Sequence, residues 1–254
     1  AYAGRGAHRR GDINEAAADI AASGGSADSG DLSRIHLKVG GQIRQTSLYL
    51  YYARDMGLFE DAGLDVEVVT LASGPAINEA MTAGELDIAC SGMASVYILG
   101  TGRFTYVFDT TINSGGQSMY ARADSDIVKA GNYNGTNLIG SPDTVKGADM
   151  IGLFASTAQY NAIAYAEAMG LTAEDVNLVN MDHAQGYQAF ISGEGDILST
   201  TPPYSSMLDA DPNYVMVADM PDLMDGAPLV DSLVVTNELD ENYHDVVVAF
   251  AECC

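Results

Sequence analysis

Two successive strand-to-helix turns between Met56 and Gly92 constrain the fold more than any other feature of this sequence. The segment reads MGLFEDAGLDVEVVTLASGPAINEAMTAGELDIACSG. Residues 64–71 alternate acidic and apolar side chains and then become continuously apolar, which is typical of a strand that enters a buried sheet. Pro75 suits the first turn of the helix that follows, and a second strand ends before Ser91. The segment therefore predicts consecutive strand and helix units in an α/β fold.

The two turns also predict where a ligand binds. In an open parallel sheet, ligands bind at the carboxyl ends of the strands, and the N–H groups of a helix N-terminus there favour an anionic or polar group. Ser73 and Ser91 stand at two such turns. Because these groups bind and do not react, the pattern indicates a binding protein.

Part of this segment recurs later in the chain. MGL, DVEVV and GELDI within residues 56–88 return as MGL, DVNLV and GEGDI within residues 169–197, with a spacing that differs by four residues. A recurrence of this kind suggests that two halves of the chain are built from similar units. The sequence therefore predicts two lobes.

The same motifs resemble a known family. GLF at residues 57–59, GLDVE at 63–67, the Ser-Gly-Pro turn at 73–75 and AGELDI at 83–88 are similar to the periplasmic substrate-binding proteins of nitrate, sulfonate and taurine ABC importers, which are related to thiamine-precursor-binding proteins. The resemblance runs from about residue 35 to the C-terminus. It implies a two-lobed periplasmic-binding-protein-like fold of type II, in which each lobe is an open, mostly parallel sheet flanked by helices. It also implies a C-terminus that is truncated relative to the family.

The resemblance gives a domain plan. We expect residues 1–34 to be disordered, residues 35–118 and 222–254 to form lobe 1, and residues 119–221 to form lobe 2. In lobe 2 we predict a strand at 137–140 and a helix at 150–169.

Composition narrows the choice of partners. The chain has 254 residues, with 35 acidic against 11 basic residues and a net charge of −24. Because nucleic-acid binding needs clustered Lys and Arg, a nucleic-acid partner is excluded. The chain has no apolar run of the roughly 18 residues that a membrane span requires.

We expect a monomer located in the periplasm or outside the cell. Residues 21–30 resemble the region after a lipoprotein signal, which suggests lipoprotein anchoring of the intact gene product.

Candidate ligand contacts lie in the turns after the predicted strands. Arg44 offers a planar fork for a sulfonate, nitrate or carboxylate, although a solvated arginine fits the sequence equally well. Helix capping alone would explain Ser73 and Ser91, and a lone His is usually structural. The predicted contacts are Gln42, Arg44, Gln45, Thr46, Ser73, Gly74, Ser91, Gly92, Asn113, Ser141, Thr144, His183, Thr201 and Tyr204, with Thr144 favoured in lobe 2.

These observations predict a solute-binding protein that captures a small anion by closing its lobes and delivers it to an ABC transporter permease. The tyrosines are also compatible with a heteroaromatic ligand, either a thiamine pyrimidine precursor or riboflavin. A pyrimidine-forming enzyme and a sensory domain are competing classes. The enzyme relatives rely on a cysteine-rich cluster that this sequence lacks. We predict no catalytic residue, no metal and no cofactor.

Overall fold

The computed structural model describes residues 32–113, 116–224 and 229–254. The strands are β1 (His36–Gly41), β2 (Asp65–Thr70), β3 (Ile88–Ser91), β4 (Phe104–Asn113), β5 (Ser118–Arg122), β6 (Asp149–Gly152), β7 (Asn177–Asn180), β8 (Ile197–Thr200), β9 (Tyr214–Asp219) and β10 (Leu229–Thr236). The helices are α1 (Leu48–Asp55), α2 (Leu58–Asp61), α3 (Gly74–Ala83), α4 (Ala94–Leu99), α5 (Asp126–Lys129), α6 (Pro142–Val145), α7 (Thr157–Ala168), α8 (His183–Ile191), α9 (Tyr204–Asp209), α10 (Met220–Leu223), α11 (Asn237–Asn242) and α12 (His244–Glu252).

The strands form two five-stranded sheets, and each sheet with its helices is called a lobe here. Lobe 1 contains the sheet β2-β1-β3-β10-β4, and lobe 2 contains the sheet β7-β6-β8-β5-β9. In each sheet the first three strands are parallel, whereas the fourth strand runs antiparallel to both of its neighbours. The predicted fold of two helix-flanked sheets is confirmed, and each sheet is mixed.

The repeat in the sequence corresponds to equivalent positions in the two sheets. The first copy covers β2 and β3, and the second copy covers β7 and β8. β2 and β7 are the edge strands, and β3 and β8 are the central strands of their sheets. The two copies therefore build the same part of each lobe.

Each sheet buries apolar side chains on both faces, since alternate residues of a strand point to opposite sides. In β10, Leu233 and Val235 pack into one cluster of lobe 1 and Val234 packs into another. In lobe 2, Met150 and Ile151 divide in the same way between two clusters. Helices therefore cover both faces of each sheet.

The predicted order of elements is wrong at the start of lobe 2. Residues 137–140 form no strand, apart from an isolated bridge between Asn132 and Ile139. The first parallel strand is instead β6, and the helix predicted at 150–169 begins only at Thr157. A buried strand of four residues has no alternation that distinguishes it from a helix, and this explains the error.

That the N-terminal segment is disordered stays a prediction. Residues 1–31 of the segment predicted to be disordered lie outside the described residues, whereas Leu32–Arg34 form a short 3-10 helix. Leu32 packs against the core of lobe 1. Within the described ranges, no helix has both the length and the apolar character needed to cross a bilayer.

The last helix, α12, is anchored to lobe 1 by a stacked aromatic pair, and this contact is testable. The ring centroids of Phe59 and Phe250 lie 5.1 Å apart with an interplanar angle of 5°, and both side chains are buried. We expect Phe250→Ala to lower the free energy of unfolding by about 3–5 kcal/mol, because it leaves a cavity in the core. Chemical denaturation measures this change.

The matched control lies on the same helix. Val248 is 43% exposed, so Val248→Ala should change the free energy of unfolding by no more than about 0.5 kcal/mol. Equal effects of the two substitutions would contradict the assignment of α12 to the core.

Candidate ligand-binding site

A cavity of about 570 Å³ lies between the two lobes. Its walls are mainly the turns that follow β1, β2 and β3 in lobe 1 and β6, β7 and β8 in lobe 2, together with the start of β10 and the residues just before β5 and just after β9. Because the parallel strands of one sheet end at one edge, these turns converge there. The cavity is therefore built from the carboxyl ends of the parallel strands of both lobes.

Hydrogen bonds to Ser47 hold the turn after β1 in place. The Ser47 hydroxyl accepts from the backbone N–H of Gln42 at 3.1 Å and donates to the carbonyl of Cys90 at 3.3 Å. The buried Cys90 belongs to β3 and thus links this turn to the neighbouring strand. Arg44 leaves the turn in an extended conformation and projects from a fixed backbone.

Helices α3 and α4 approach each other closely at the cavity wall. Ser73 caps α3 by accepting from the N–H of Ala76 at 3.3 Å, and the side chain of Asn78 donates to the carbonyl of Ala94 at 2.7 Å. A Cβ atom at Gly74 would lie 2.6 Å from the Cβ of Ala94. Only glycine therefore fits at the start of α3 at this distance.

Lobe 2 presents two helix starts to the same cavity. The Ser156 hydroxyl accepts from the N–H of Ala158 at 3.1 Å and caps α7. Asp182 accepts from the N–H of Gln185 at 2.8 Å, caps α8 and places His183 at the first helical position. The side chain of His183 contacts the Thr200 hydroxyl at 3.4 Å. Donors and acceptors of lobe 2 thus face those of lobe 1.

Arg44 provides a positive charge within the cavity. Its side chain is partly buried, and none of the described residues forms an ion pair or a hydrogen bond with its guanidinium. Burial lowers the pKa of this group below its ordinary value, and Tyr204 opposes the shift. A buried charge that lacks a protein partner is costly, so an anion in the cavity would be stabilised by it.

His183 is neutral at physiological pH. Burial lowers the pKa of its imidazole from 6.5 to about 4, and the charge of Arg44 adds to this shift, whereas Asp182 opposes it. His183 from lobe 2 and Arg44 from lobe 1 line the same cavity. A neutral imidazole can donate a hydrogen bond to an anion without adding a charge.

Two hydroxyl groups that border the cavity have no hydrogen-bond partner among the described residues. They are Thr46 Oγ1 and Ser91 Oγ, and both atoms are buried. Buried hydroxyls normally find partners, so these two are candidates for bonds to a bound molecule. Both come from turns that the sequence predicts to be in the site.

The structure brings most of the predicted site residues together and leaves four outside. Those that line the cavity are Gln42, Arg44, Gln45, Thr46, Ser73, Gly74, Ser91, Gly92, His183 and Thr201. That they bind a ligand stays a prediction. The four residues that do not line it are Asn113, Ser141, Thr144 and Tyr204.

Each of these four residues lies elsewhere in the structure. Ser141 and Thr144 form a reciprocal capping box at α6, before β6, and thus lie at the opposite end of the strand from the cavity. Asn113 pairs with Leu229 at the end of β4, and its side chain is outside the described residues. Tyr204 packs its ring against Tyr187, with centroids 5.2 Å apart.

The cavity also contains polar residues that the sequence analysis did not identify. Gln117 donates to the Ser199 hydroxyl at 3.3 Å, and its carbonyl accepts from the buried side chain of Asn161 at 3.1 Å. Ser156 could have been identified from the sequence, because a serine directly before a helical segment is a helix-capping signal. The remaining polar residues missed are Thr157, Ser206 and Asp231. No group of three or more His, Cys, Asp or Glu side chains that could hold a metal occurs in the part of the chain that was described.

The fold and this interlobe cleft define a two-lobed solute-binding protein. The profile of the NMT1-like family matches residues 36–253. A protein of Brachyspira hyodysenteriae named "Putative ABC transporter periplasmic binding protein" is 31% identical over 239 residues, which cover 92% of this chain and 68% of the relative. The chain therefore belongs to the NMT1-like family, within the periplasmic binding proteins of ABC importers, and the resemblance predicted from the sequence is confirmed.

Solved structures share the fold at low sequence identity. The alkanesulfonate-binding protein SsuA from Xanthomonas axonopodis pv. citri, bound to MOPS, has a TM-score of 0.67 and 17% identity, and the match covers 86% of this chain and 71% of that protein. The nitrate-binding protein NrtA from Synechocystis PCC 6803 has a TM-score of 0.66 and 12% identity, with coverage of 86% and 60%. At these identities the likeness shows the fold alone.

The contact between α3 and α4 predicts that the cavity wall is intolerant of a methyl group. We expect Gly74→Ala to lower the free energy of unfolding by about 1–3 kcal/mol, because overpacking forces the two helices apart. Thermal or chemical denaturation measures the loss. Gly100→Ala is the control, since φ is −59° there and the nearest atom, the Val96 carbonyl oxygen, would be 3.5 Å away. A loss as large in the control would refute the argument.

The low pKa of His183 predicts a dependence of stability on pH. Between pH 6.5 and about 4, the unfolded chain protonates this imidazole and the folded chain does not, so the free energy of unfolding falls as the pH falls. From pH 7 to pH 5 this group should cost about 2 kcal/mol of stability. Denaturation of His183→Gln at both pH values should show a correspondingly smaller decrease.

The wild-type protein, denatured at the same two pH values, is the reference for this prediction. If His183→Gln lost as much stability as the wild type between the two pH values, the imidazole would not be buried as described.

Proposed function

We propose that this protein captures an organic anion of the sulfonate type in the cleft between its lobes and delivers it to the permease of an ABC importer. The site of action is the periplasm or the cell exterior. The protein binds and releases its ligand unchanged. A monomer is sufficient, because both walls of the cleft come from one chain.

One observation carries the proposal: a partly buried guanidinium faces the cavity without a partner among the described residues. Arg44 can form two parallel hydrogen bonds with the oxygens of a sulfonate or carboxylate. The neutral His183 and the buried hydroxyls of Thr46 and Ser91 supply further donors around it. This donor set suits a group with several equivalent oxygens.

The size and lining of the cavity favour an organic anion over an inorganic one. A volume of about 570 Å³ is within the range of pockets that bury organic ligands. Ile43, Met93, Leu153, Met220 and Leu229 give it apolar walls. Nitrate would leave these walls in contact with water, whereas the carbon chain of an organosulfonate would cover them. The alkanesulfonate-binding protein bound to MOPS supports this ligand class.

Closure of the two lobes supplies the mechanism. The neighbouring elements β4 and β10 belong to lobe 1, and β5 and β9 belong to lobe 2, so the chain passes between the lobes twice, as in proteins whose two lobes close around a ligand. Arg44 belongs to lobe 1 and His183 to lobe 2, so a ligand that contacts both residues is held best when the cleft is closed. The ligand therefore shifts the population toward the closed form, which the permease recognises.

Thermal unfolding with a ligand panel tests the proposal. The panel contains taurine, longer alkanesulfonates, nitrate, bicarbonate, hydroxymethylpyrimidine and riboflavin. A compound at about a hundredfold its dissociation constant should stabilise the protein by about 2.7 kcal/mol. We expect an organosulfonate to do so and nitrate to have no effect. Stabilisation by hydroxymethylpyrimidine or riboflavin alone would overturn the proposed ligand class.

Substitution of the arginine tests its role directly. We expect Arg44→Gln to weaken sulfonate binding by at least about tenfold, because a hydrogen bond to a charged group contributes about 1.5–3 kcal/mol. Isothermal titration calorimetry measures this loss. Arg103→Gln is the control, since Arg103 is exposed and contacts the carbonyl of Thr82 away from the cavity. Unchanged affinity in Arg44→Gln would remove the observation on which the proposal rests.

A further inference from the structure

The two connections between the lobes meet at one backbone carbonyl in lobe 2. Gln117 is the last residue before β5, and Met220 is the first residue after β9. The Gln117 carbonyl accepts from the backbone N–H of Met220 at 3.1 Å. Next to them, Ser118 pairs with Asp219 in the strand register, and its hydroxyl donates to Asp219 Oδ1 at 2.8 Å. These four residues are called the interlobe junction here, and they bond the entry of the chain into lobe 2 to its exit.

Asn161 links the interlobe junction to helix α7. Its Nδ2 donates to the same Gln117 carbonyl at 3.1 Å, and its side chain is fully buried. Ser156 and Thr157, at the start of this helix, line the cavity. Asn161 therefore joins a wall of the cleft to both connections between the lobes.

A buried asparagine at this position of α7 has a cost. The other buried residues of the helix are Ala158, Ala162, Tyr165 and Ala166. The Oδ1 atom of Asn161 is buried and has no hydrogen-bond partner among the described residues. An unpartnered buried oxygen lowers stability, whereas an apolar side chain would pack there without that loss. Stability alone therefore does not account for Asn161, and its bond to the Gln117 carbonyl is what an apolar residue could not supply.

Building on the proposed closure of the cleft, we infer that Asn161 is a positioning residue that fixes both interlobe connections relative to the lobe 2 wall of the cavity. Because the interlobe junction is bonded to α7, it moves with lobe 2 as one body, and the bending that closes the cleft lies outside it. A ligand that contacts lobe 2 thus acts directly on the connections. Without Asn161, part of the free energy of ligand binding would be used to order the junction, and the affinity would fall.

Amide hydrogen exchange tests the interlobe junction without any ligand. In Asn161→Leu, the Gln117 carbonyl keeps its bond to Met220, but the link to α7 is lost. We expect exchange at the Met220 amide to become about 3- to 10-fold faster relative to the amides of β8, as the loss of one hydrogen bond predicts. Asn161→Ala removes the same bond without the larger leucine side chain and should give the same result. Unchanged exchange at Met220 in both variants would overturn the inference.

Calorimetric titration with propanesulfonate tests the consequence for closure. Both Asn161 variants should bind it about 3- to 10-fold more weakly than the wild type, although Asn161 does not line the cavity. Asn177→Leu is the matched control and should leave the affinity unchanged. Asn177 Nδ2 donates to the Gly147 carbonyl, also at 3.1 Å, but at the start of β7, the end of the strand remote from the cavity.

The outcomes separate a positioning role from a purely structural one. A lower midpoint of chemical denaturation with unchanged affinity in the Asn161 variants would assign the asparagine a structural role only and overturn the inference. If the wild type bound no propanesulfonate, the proposed function would fail, and the exchange rate at Met220 would still decide the role of Asn161.

Discussion

Parallel pairing of three strands in each lobe determines where the functional groups of this protein lie. Strands that run in one direction end at one edge, and the helices that follow them begin there. In lobe 1 this constraint brings the turns of Arg44, Ser73 and Ser91 together, and in lobe 2 it does the same for Ser156 and His183. In lobe 2, β9 runs in the same direction as β8, and α10, which begins after it at Met220, also reaches the cavity. The cleft is thus a consequence of strand direction, and the side chains give it chemical character.

The charged groups of the cleft belong to a protein whose net charge is strongly negative. With a net charge of −24, the protein as a whole repels anions at long range, although salt screens this effect beyond about 10 Å. Binding must therefore depend on short-range contacts. Partial burial strengthens the field of Arg44, and the same burial keeps His183 neutral. Local desolvation would make capture of the proposed anion compatible with an acidic exterior.

The sequence predicted the strands and helices of lobe 1 more accurately than those of lobe 2, and the reasons are physical. Glycine and capping signals near residues 57–92 mark the ends of the helices there, whereas β6 is four residues of ambiguous pattern. Because β6 was misplaced, the prediction chose Thr144, which lies before this strand, and missed Ser156, which follows it and lines the cavity. Asp231 could not be identified from local patterns, because it reaches the cavity only through the pairing of β10 with β3 and β4. Contacts between distant segments carry no local signal.

The insertion of β10 between β3 and β4 also affects how the chain folds. All strands of lobe 2 lie between residues 118 and 219, so its sheet can assemble from one continuous stretch. The sheet of lobe 1 cannot be completed until residues 229–236 have been synthesised. Until then, β3 and β4 each have an unpaired edge that can pair with a wrong strand. During synthesis, which proceeds from the N-terminus, the lobe that begins first is completed last. Export machinery that holds the chain unfolded until translation ends would remove this hazard.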